Sequence, residues 1–406
     1  MSKRPWSRKP FSGDGDPPTE KHAGDGNSAD RMLSGILWHG LWFFALSMTA
    51  LLFAGWVWGD RLLAVRLTQY LLPWVFFGLL AAMVPSVLTR RGWLVLALAL
   101  PALIIAYHYL PVFLPKKIRP FENHPELKVM SFNVWSENHS LQSVAELIER
   151  ENPDILLLQE IEPFQMKELQ QFLAASTGLE DSPWDFAYAP LIMQATGSRY
   201  PVSELATNRR KGKMQAVRVE TPAGGITVFN VHPLRGNWQR RHRQMQTLLR
   251  EDILVTDEPV ILGGDFNTTD MSETYALLSR YLDNAHWEAG WGFGFSYPAE
   301  RHAWQRFLPS WPLVRIDHIF YNSHFAALCA ETLDESAGSD HFPVVARLVL
   351  TKGPGLTAMT PRTIPPQPAA AAEKRETLQT GFNSFIKQVQ TGFSRILSSR
   401  SERSCR

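Results

Sequence analysis

The chain has 406 residues, enough for two or three domains, and at 45% apolar and 11% aromatic it is neither disordered nor fibrous as a whole. The formal charge of +2 hides a division: residues 120–350 carry 19 basic and 30 acidic side chains, a net of −11, and the rest of the chain a net of +13. Such an acidic stretch does not draw polyanions by its overall field, so any phosphate it binds is held locally. Cys329 and Cys405 are the only cysteines, which excludes a disulfide framework.

Residues 1–31, rich in Gly, Asp, Ser and Pro, read as a disordered tail. Uncharged apolar runs follow at 32–59, 67–89 and 92–115, each longer than the ~20 residues that cross a bilayer as a helix. Buried helices of a soluble domain fit poorly, because no polar face interrupts the runs. Trp38, Trp56, Trp58, Trp74 and Trp93 lie near the run ends, as interfacial aromatics do. Pro73, Pro85, Pro101 and Pro111 are tolerated in spanning helices. Residues 32–115 are therefore expected to be three transmembrane helices, and a cleaved signal peptide is not expected. The amino-terminal side of the spans has eight Lys and Arg, from Lys3 to Arg31 with Arg90 and Arg91. The other side has five: Arg61, Arg66, Lys116, Lys117 and Arg119. This excess predicts the amino terminus inside and the large domain outside the cytoplasm.

Beyond that domain, 351–372 reads as a Pro/Ala-rich linker and 373–406 as a basic helix. Leu378, Phe382, Phe385, Val389, Phe393 and Ile396 form one apolar stripe, suited equally to a membrane surface or to docking on the domain.

Between 120 and 350, strand-like apolar runs end repeatedly in polar clusters. LKVMSFNVW reaches Asn133, DILLLQE reaches Glu160, GITVFNVH reaches Asn230 and His232, and VILGGDFN reaches Asp265 and Asn267. VRIDHIF holds Asp317 within a strand, and SDHFPVV sets Asp340 and His341 just before the last one. Helical stretches over 140–151 and 237–250 separate the early strands. Strands that end in polar groups at one rim are how α/β folds build sites on rigid elements. Singly these signals are weak: Gln-Glu after a strand is usually its solvent-facing end, and Asn230 can serve only strand-edge backbone groups. GGDFN is better, since two glycines allow close backbone approach before an acid. The ordered set of oxygen ligands, two histidines and an Asp able to orient one of them is strong.

The series FNVW, LLQE, SRYPV, FNVHP, GGDFNTT, RIDHIF and SDHFPV resembles the endonuclease/exonuclease/phosphatase superfamily, with its deoxyribonuclease-I-like fold. The stretches YLDNAHWEAGWGFGFSYP and HPLRGNWQRRHRQ further resemble its bacterial membrane-anchored members. The resemblance implies an α/β four-layer sandwich of two β-sheets flanked by helices, and hydrolysis of phosphate esters with Mg²⁺, or Mn²⁺ in its place. It also implies a multi-pass protein of the bacterial inner membrane. Asn133, Glu160 and Asp340 then become the metal-binding residues, hard oxygen ligands suited to Mg²⁺. Among the catalytic residues, Asp265 orients or deprotonates the attacking water, Asn267 donates to phosphoryl oxygens, and His232 bonds a phosphate oxygen. Asp317 holds His341 charged against the transition state. Trp135 stands where some nucleases of the family carry a second acid. His139, His242, His286, His302, His318 and His324 match no catalytic position and read as surface or packing residues. The cluster Arg209, Arg210, Lys211 and Lys213 reads as a solvated loop.

The substrate class stays open between a nucleic acid, a lipid headgroup and a small molecule, and no protein partner is inferable. A nuclease needs a basic channel with aromatic platforms, which the acidic charge disfavours. A lipid-headgroup phosphodiesterase gains from the spans. A non-catalytic binding protein on the same fold would be expected to have lost some of the eight positions.

Overall fold

The computed structural model describes residues 25–116, 121, 124–177, 183–205, 214–233, 235–299, 312–351 and 405. Apart from Thr351 and Cys405, the linker and the basic carboxy-terminal helix lie outside the described residues, as do the first part of the amino-terminal tail and the 209–213 basic cluster.

The apolar third forms four helices: α1 (Asp25–Trp58), α2 (Leu63–Tyr70), α3 (Leu72–Leu88) and α4 (Gly92–Phe113). Helix α1 begins at Asp25, inside the stretch read as a tail. Only α1 and α4 are each long and apolar enough to cross a membrane; the expected middle span is broken at Leu71, where α2 and α3 meet at 79°. Pro73 explains the break: it lies in the first turn of α3, has no N–H to donate, and its ring would collide with the carbonyl of a continuing helix. At 17 residues α3 is about 26 Å long, slightly short of a bilayer core. Leu79 of α3 and Leu94, Leu98 and Ile105 of α4 are buried among themselves and against α1.

The remainder opens with β1 (Glu126–Asn133), α5 (Leu141–Glu151), β2 (Ile155–Gln159), α6 (Pro163–Thr177), β3 (Asp185–Ala189), β4 (Gln194–Ser198) and β5 (Val202–Glu204). It continues with β6 (Met214–Thr221), β7 (Gly224–Val231), α7 (Trp238–Leu248), β8 (Val260–Asp265), α8 (Glu273–Leu278), β9 (Asp283–Asn284) and α9 (Ala285–Ala289). It closes with β10 (Asp317–Tyr321), β11 (Phe325–Thr332) and β12 (Val344–Leu350). Two six-stranded mixed sheets result, ordered β11-β12-β1-β2-β4-β3 and β5-β6-β7-β8-β10-β9. Each has one central parallel pair, β1 with β2 and β7 with β8. Val129, Leu157, Val228, Ile261, Ala346 and Leu348 fill the space between the sheets. Helices α5 and α6 cover the outer face of the first sheet and α7 that of the second, which makes the expected helix-flanked sandwich. Strand β2 is buried along its whole length because both of its faces are covered, which is why DILLLQE shows no alternation.

The bundle is bolted to the sandwich through the GWGFGF stretch. Gly292 N–H donates to Val112 O at 2.9 Å, Phe293 meets Tyr109 and Phe113 edge-on, and Trp74 stacks on Phe295 at 5.8 Å. Lys116 Nζ donates to Trp287 O at 2.6 Å. The two cysteines, too few for a framework, form one bridge: Cys405 is linked to Cys329 of β11, with Cα atoms 5.8 Å apart.

Candidate active site

The parallel strand pairs bring their carboxyl ends to one rim. Asn133 ends β1 opposite Gln159, and Glu160 follows directly. Asp265 ends β8, His232 follows β7, and Asp317 is the first residue of β10 rather than an interior one. Asp317 pairs in register with Asp265 across the antiparallel ladder, so both carboxylates stand on one face of the sheet. Gly264, at φ +147°, lets β8 lie against β7 beside this ladder: a Cβ there would collide with Val231 O.

Asp265 is the centre. Its Oδ1 accepts Asn267 N–H at 2.8 Å, and its Oδ2 accepts Asn133 Nδ2 and Asn267 Nδ2, each at 3.2 Å. His232 Nε2 lies 3.5 Å and His341 Nε2 3.8 Å from the same Oδ2. Burial raises the pKa of this carboxyl, but the charges of His341 and His232, the Asn267 N–H and Arg235 outweigh it and hold it below the ordinary carboxylate range. Glu160 Oε1 is 3.4 Å from His232 Nε2 and 3.3 Å from Asn133 Nδ2. Asn133 turns its amide nitrogen to both acids, while its Oδ1 accepts Trp135 N–H at 3.1 Å. To present oxygen to a cation this amide must turn over and release that bond.

His341 Nδ1 sits 2.9 Å from Asp317 Oδ2. Burial lowers the histidine's pKa, yet the Asp317 and Asp265 carboxylates and the Asp317 bond overcome it and hold the ring at about 9. Its Nε2 is buried without a hydrogen-bond partner, so a free donor stands 3.8 Å from Asp265 Oδ2. Asp340 is buried beside it, and its charge acts on His341, Arg235 and Tyr297. Glu160, Trp135 and Asn267 all have left-handed backbones, at φ 54°, 64° and 50°. Such conformations cost about 1–3 kcal/mol each and cluster where the fold holds a functional geometry.

Ligand atoms of Glu160, His232 and Asp265 lie within 4.8 Å of one another, as do those of Asp265, Asp317 and His341. Asp340 belongs to neither group. Two carboxylates converging in a buried place repel each other unless a cation or proton lies between them, so the donor set fits a hard divalent cation.

Three side chains at this rim were not singled out in the sequence. Arg235 donates from Nε to Asn267 Oδ1 at 3.1 Å and lies 5.8 Å from the Tyr297 ring, which in turn packs 4.8 Å from the His341 ring. Tyr70, from the bundle, donates its hydroxyl to Asn267 O at 2.8 Å. One of several arginines in a basic stretch and one tyrosine in an apolar run carry no signal of their own. Asn230 serves the backbone, donating to Leu158 O and Ala195 O and accepting from Gln159 Nε2. Arg199 lies apart, over the Trp184 ring. His318 and His286 are packing residues, facing Thr268 O and Gly292 O.

Several known proteins resemble the chain. A protein of the endonuclease/exonuclease/phosphatase family from Bacteroides thetaiotaomicron is 19% identical over 56% of this chain and 99% of its own, with a TM-score of 0.46. A family protein from Bacteroides vulgatus is 18% identical over 56% and 99%, with a TM-score of 0.45. The mannosyl-6-phosphatase of Bacteroides thetaiotaomicron is 20% identical over 55% and 100%, with a TM-score of 0.44. No curated protein matches the chain's sequence. Residues 130–341, more than half of the chain, match the Endonuclease/Exonuclease/phosphatase family as a whole, and that stretch runs from β1 to the last rim histidine. By that match the chain belongs to the endonuclease/exonuclease/phosphatase family and is a metal-dependent hydrolase of phosphate esters.

Proposed function

We propose that the chain is a membrane-anchored phosphoesterase whose catalytic unit, residues 120–350, works at the outer face of a bacterial inner membrane with Mg²⁺ or Mn²⁺. The observation that carries the reading is the convergence on Asp265: Asn133, His232, Asn267 and His341 all approach within 3.8 Å of its carboxylate, and Glu160 is part of the same cluster. Glu160, Asn133 and Asp340 are the residues we assign to the cation. When bound, it supplies positive charge that screens the phosphoryl oxygens from Glu160 and Asp265.

The chain's own residues do the rest. Asp265, kept ionised, accepts a hydrogen bond from the attacking water and takes its proton as the new bond to phosphorus forms. The water oxygen joins phosphorus, and the bond from phosphorus to the departing alcohol oxygen breaks. That oxygen leaves as the alcohol with a proton taken from solvent, to which Asp265 later returns its own. His341, kept protonated by Asp317, directs its Nε2–H at the phosphoryl oxygens, where negative charge gathers. Asn267 and His232 donate from the other side.

The membrane reading rests on the length and apolar composition of α1 and α4, with the bent α2–α3 pair as a third crossing, and on the excess of Lys and Arg on the amino-terminal side. An odd number of crossings puts the domain opposite the amino terminus. The Cys329–Cys405 bridge favours an oxidising compartment for the domain. A panel of phosphodiesters and phosphomonoesters, run on the full chain in detergent, tests the function. Turnover should appear with Mg²⁺ or Mn²⁺ and be absent in Glu160→Ala. Equal turnover in the two proteins would overturn the assignment.

A further inference from the structure

Between the bundle and the rim lies a cleft of about 340 Å³, in the range of small-molecule sites, and its lining is of two kinds. Arg235, Arg241, Asn267 and Tyr297 are polar, with His341 packed against the tyrosine ring. Leu71 from the bundle and Leu313 from the sandwich are apolar. Two hydrogen bonds hold the walls in place. Tyr70 O–H reaches Asn267 O at 2.8 Å, and Trp74 Nε1–H reaches Leu313 O at 3.0 Å.

Leu71 is the elbow at which α2 turns 79° from α3. It also closes a row, Leu63, Leu67 and Leu71, spaced by four and so on one side of the helix. Leu63 and Leu67 are 61% and 58% exposed. The opposite side packs inward: Val65 is buried beside Gly55 of α1, and Arg66 lies over the Trp238 ring at 5.6 Å. A short helix set at an angle to its neighbour, with an exposed apolar row and a packed opposite side, belongs in the interface plane of a bilayer. Its apolar row therefore leads from the acyl region directly into the mouth of the cleft.

We infer that the cleft between the α2–α3 elbow and the rim takes a phosphoester carrying a long apolar chain, with phosphate at Arg235 and Asn267 and chain along Leu71 and Leu67. The inference rests on the phosphoesterase reading above and adds to it the class of substrate. Two features make a lipid phosphoester, rather than a polynucleotide, the occupant. The domain's net charge of −11 opposes a polyanion, and the apolar part of the lining gives a chain of sugars and phosphates nothing to bond with.

Matched esters test it on the full chain in nanodiscs. Hexadecyl and methyl p-nitrophenyl phosphate share a leaving group: each gains water, releases p-nitrophenol and leaves the alkyl phosphate. Hexadecyl and ethyl phosphate extend the comparison to monoesters. The long-chain ester should have a kcat/KM at least about tenfold above its short partner, the yield of burying only a few methylenes. Leu71→Gln and Leu313→Gln should each cut that ratio severalfold. Because wild type and variants meet the same substrate at the same partitioning, the change reports the cleft. Should both variants misfold, the apolar truncations Leu71→Ala and Leu313→Ala take their place in the same comparison. Turnover of the short esters with no preference for the long, or a preference untouched in folded variants, overturns the substrate class and leaves the phosphoesterase standing. No turnover of any ester that depends on Asp265, tested with Asp265→Asn, overturns the phosphoesterase reading and this inference with it.

Discussion

The rim of the sandwich and the bundle's seam with it both face the cleft, but their polar groups are held in opposite ways. At the rim, one buried carboxylate is shared by two amides and two histidines, so each group depends on several others. At the seam, single side chains reach single backbone carbonyls among aromatic rings: Tyr70 to Asn267, Trp74 to Leu313, Lys116 to Trp287. A network of the first kind concentrates charge for chemistry, and its members fail together. Bonds of the second kind set position, and each can be lost at modest cost.

The largest effect expected is from removing the metal. EDTA should reduce hydrolysis to background and Mg²⁺ or Mn²⁺ should restore it; activity persisting in protein shown metal-free by elemental analysis would break the contrast at its root. Next comes the Asp317–His341 pair. Each alanine variant should lower turnover by roughly 10²-fold or more. The double variant should be little worse than the more affected single one, because the two act as a unit. Additive losses would mean that Asp317 does not act through His341.

A third prediction concerns stability. Asp270 Oδ2 pairs with Arg315 Nη2 at 2.8 Å beneath the seam, with both side chains buried and Tyr109 O–H 3.4 Å away. Asp270→Asn leaves the guanidinium charge buried and unpaired, which should cost about 3–5 kcal/mol. Burial raises the pKa of Asp270, but Arg315, helped by the nearby histidines, outweighs it and holds the carboxyl below its ordinary range. A depressed folded-state value stabilises the protein above the unfolded-state pKa, and the contribution disappears as pH falls through the folded one. The Tm gap between wild type and Asp270→Asn should thus be full at neutral pH and shrink below about pH 4. A gap that widens on acidification would contradict the pairing.

Tyr70→Phe removes one neutral hydrogen bond, so a loss of about 0.5–1.5 kcal/mol, or a change of a few fold in turnover, is expected. A drop on the scale of the rim variants would move Tyr70 from positioning into the chemistry. The smallest effect should come from the cysteines. Maleimide should label neither Cys329 nor Cys405 until a reductant is added, and reduction should leave turnover nearly unchanged, because the bridge lies on β11, away from the rim. Two thiols reactive without reductant would remove its support for an oxidising compartment.

Much of the rim could be read in the sequence because each strand announces its own end: an apolar run stops and a polar residue follows. That local rule located Asn133, Glu160, His232, Asp265 and Asn267, while His341 stood just before the last strand, and α5 and α7 were visible in their apolar spacing. Resemblance supplied the pairing of Asp317 with His341, and the structure brings His341 Nδ1 to 2.9 Å from Asp317 Oδ2. At Asn133 the residue type implies an oxygen ligand, and the packed structure turns its amide nitrogen to Glu160 and Asp265. The break at Leu71 was overridden by the hydropathy of its run, although Pro73 marks it.

By itself, then, the sequence determined the apolar third, the alternation of strands and helices and the identity of most rim residues, because hydropathy and strand ends are properties of neighbours along the chain. The helix-flanked sandwich was implied by the family resemblance. Only the tertiary structure decided that Arg235 and Tyr70 border Asn267, that Cys405 meets Cys329 across 76 residues, and that a bent helix completes the cleft. Those contacts join segments far apart in the chain. They follow from how the bundle packs on the sandwich, which no local pattern encodes.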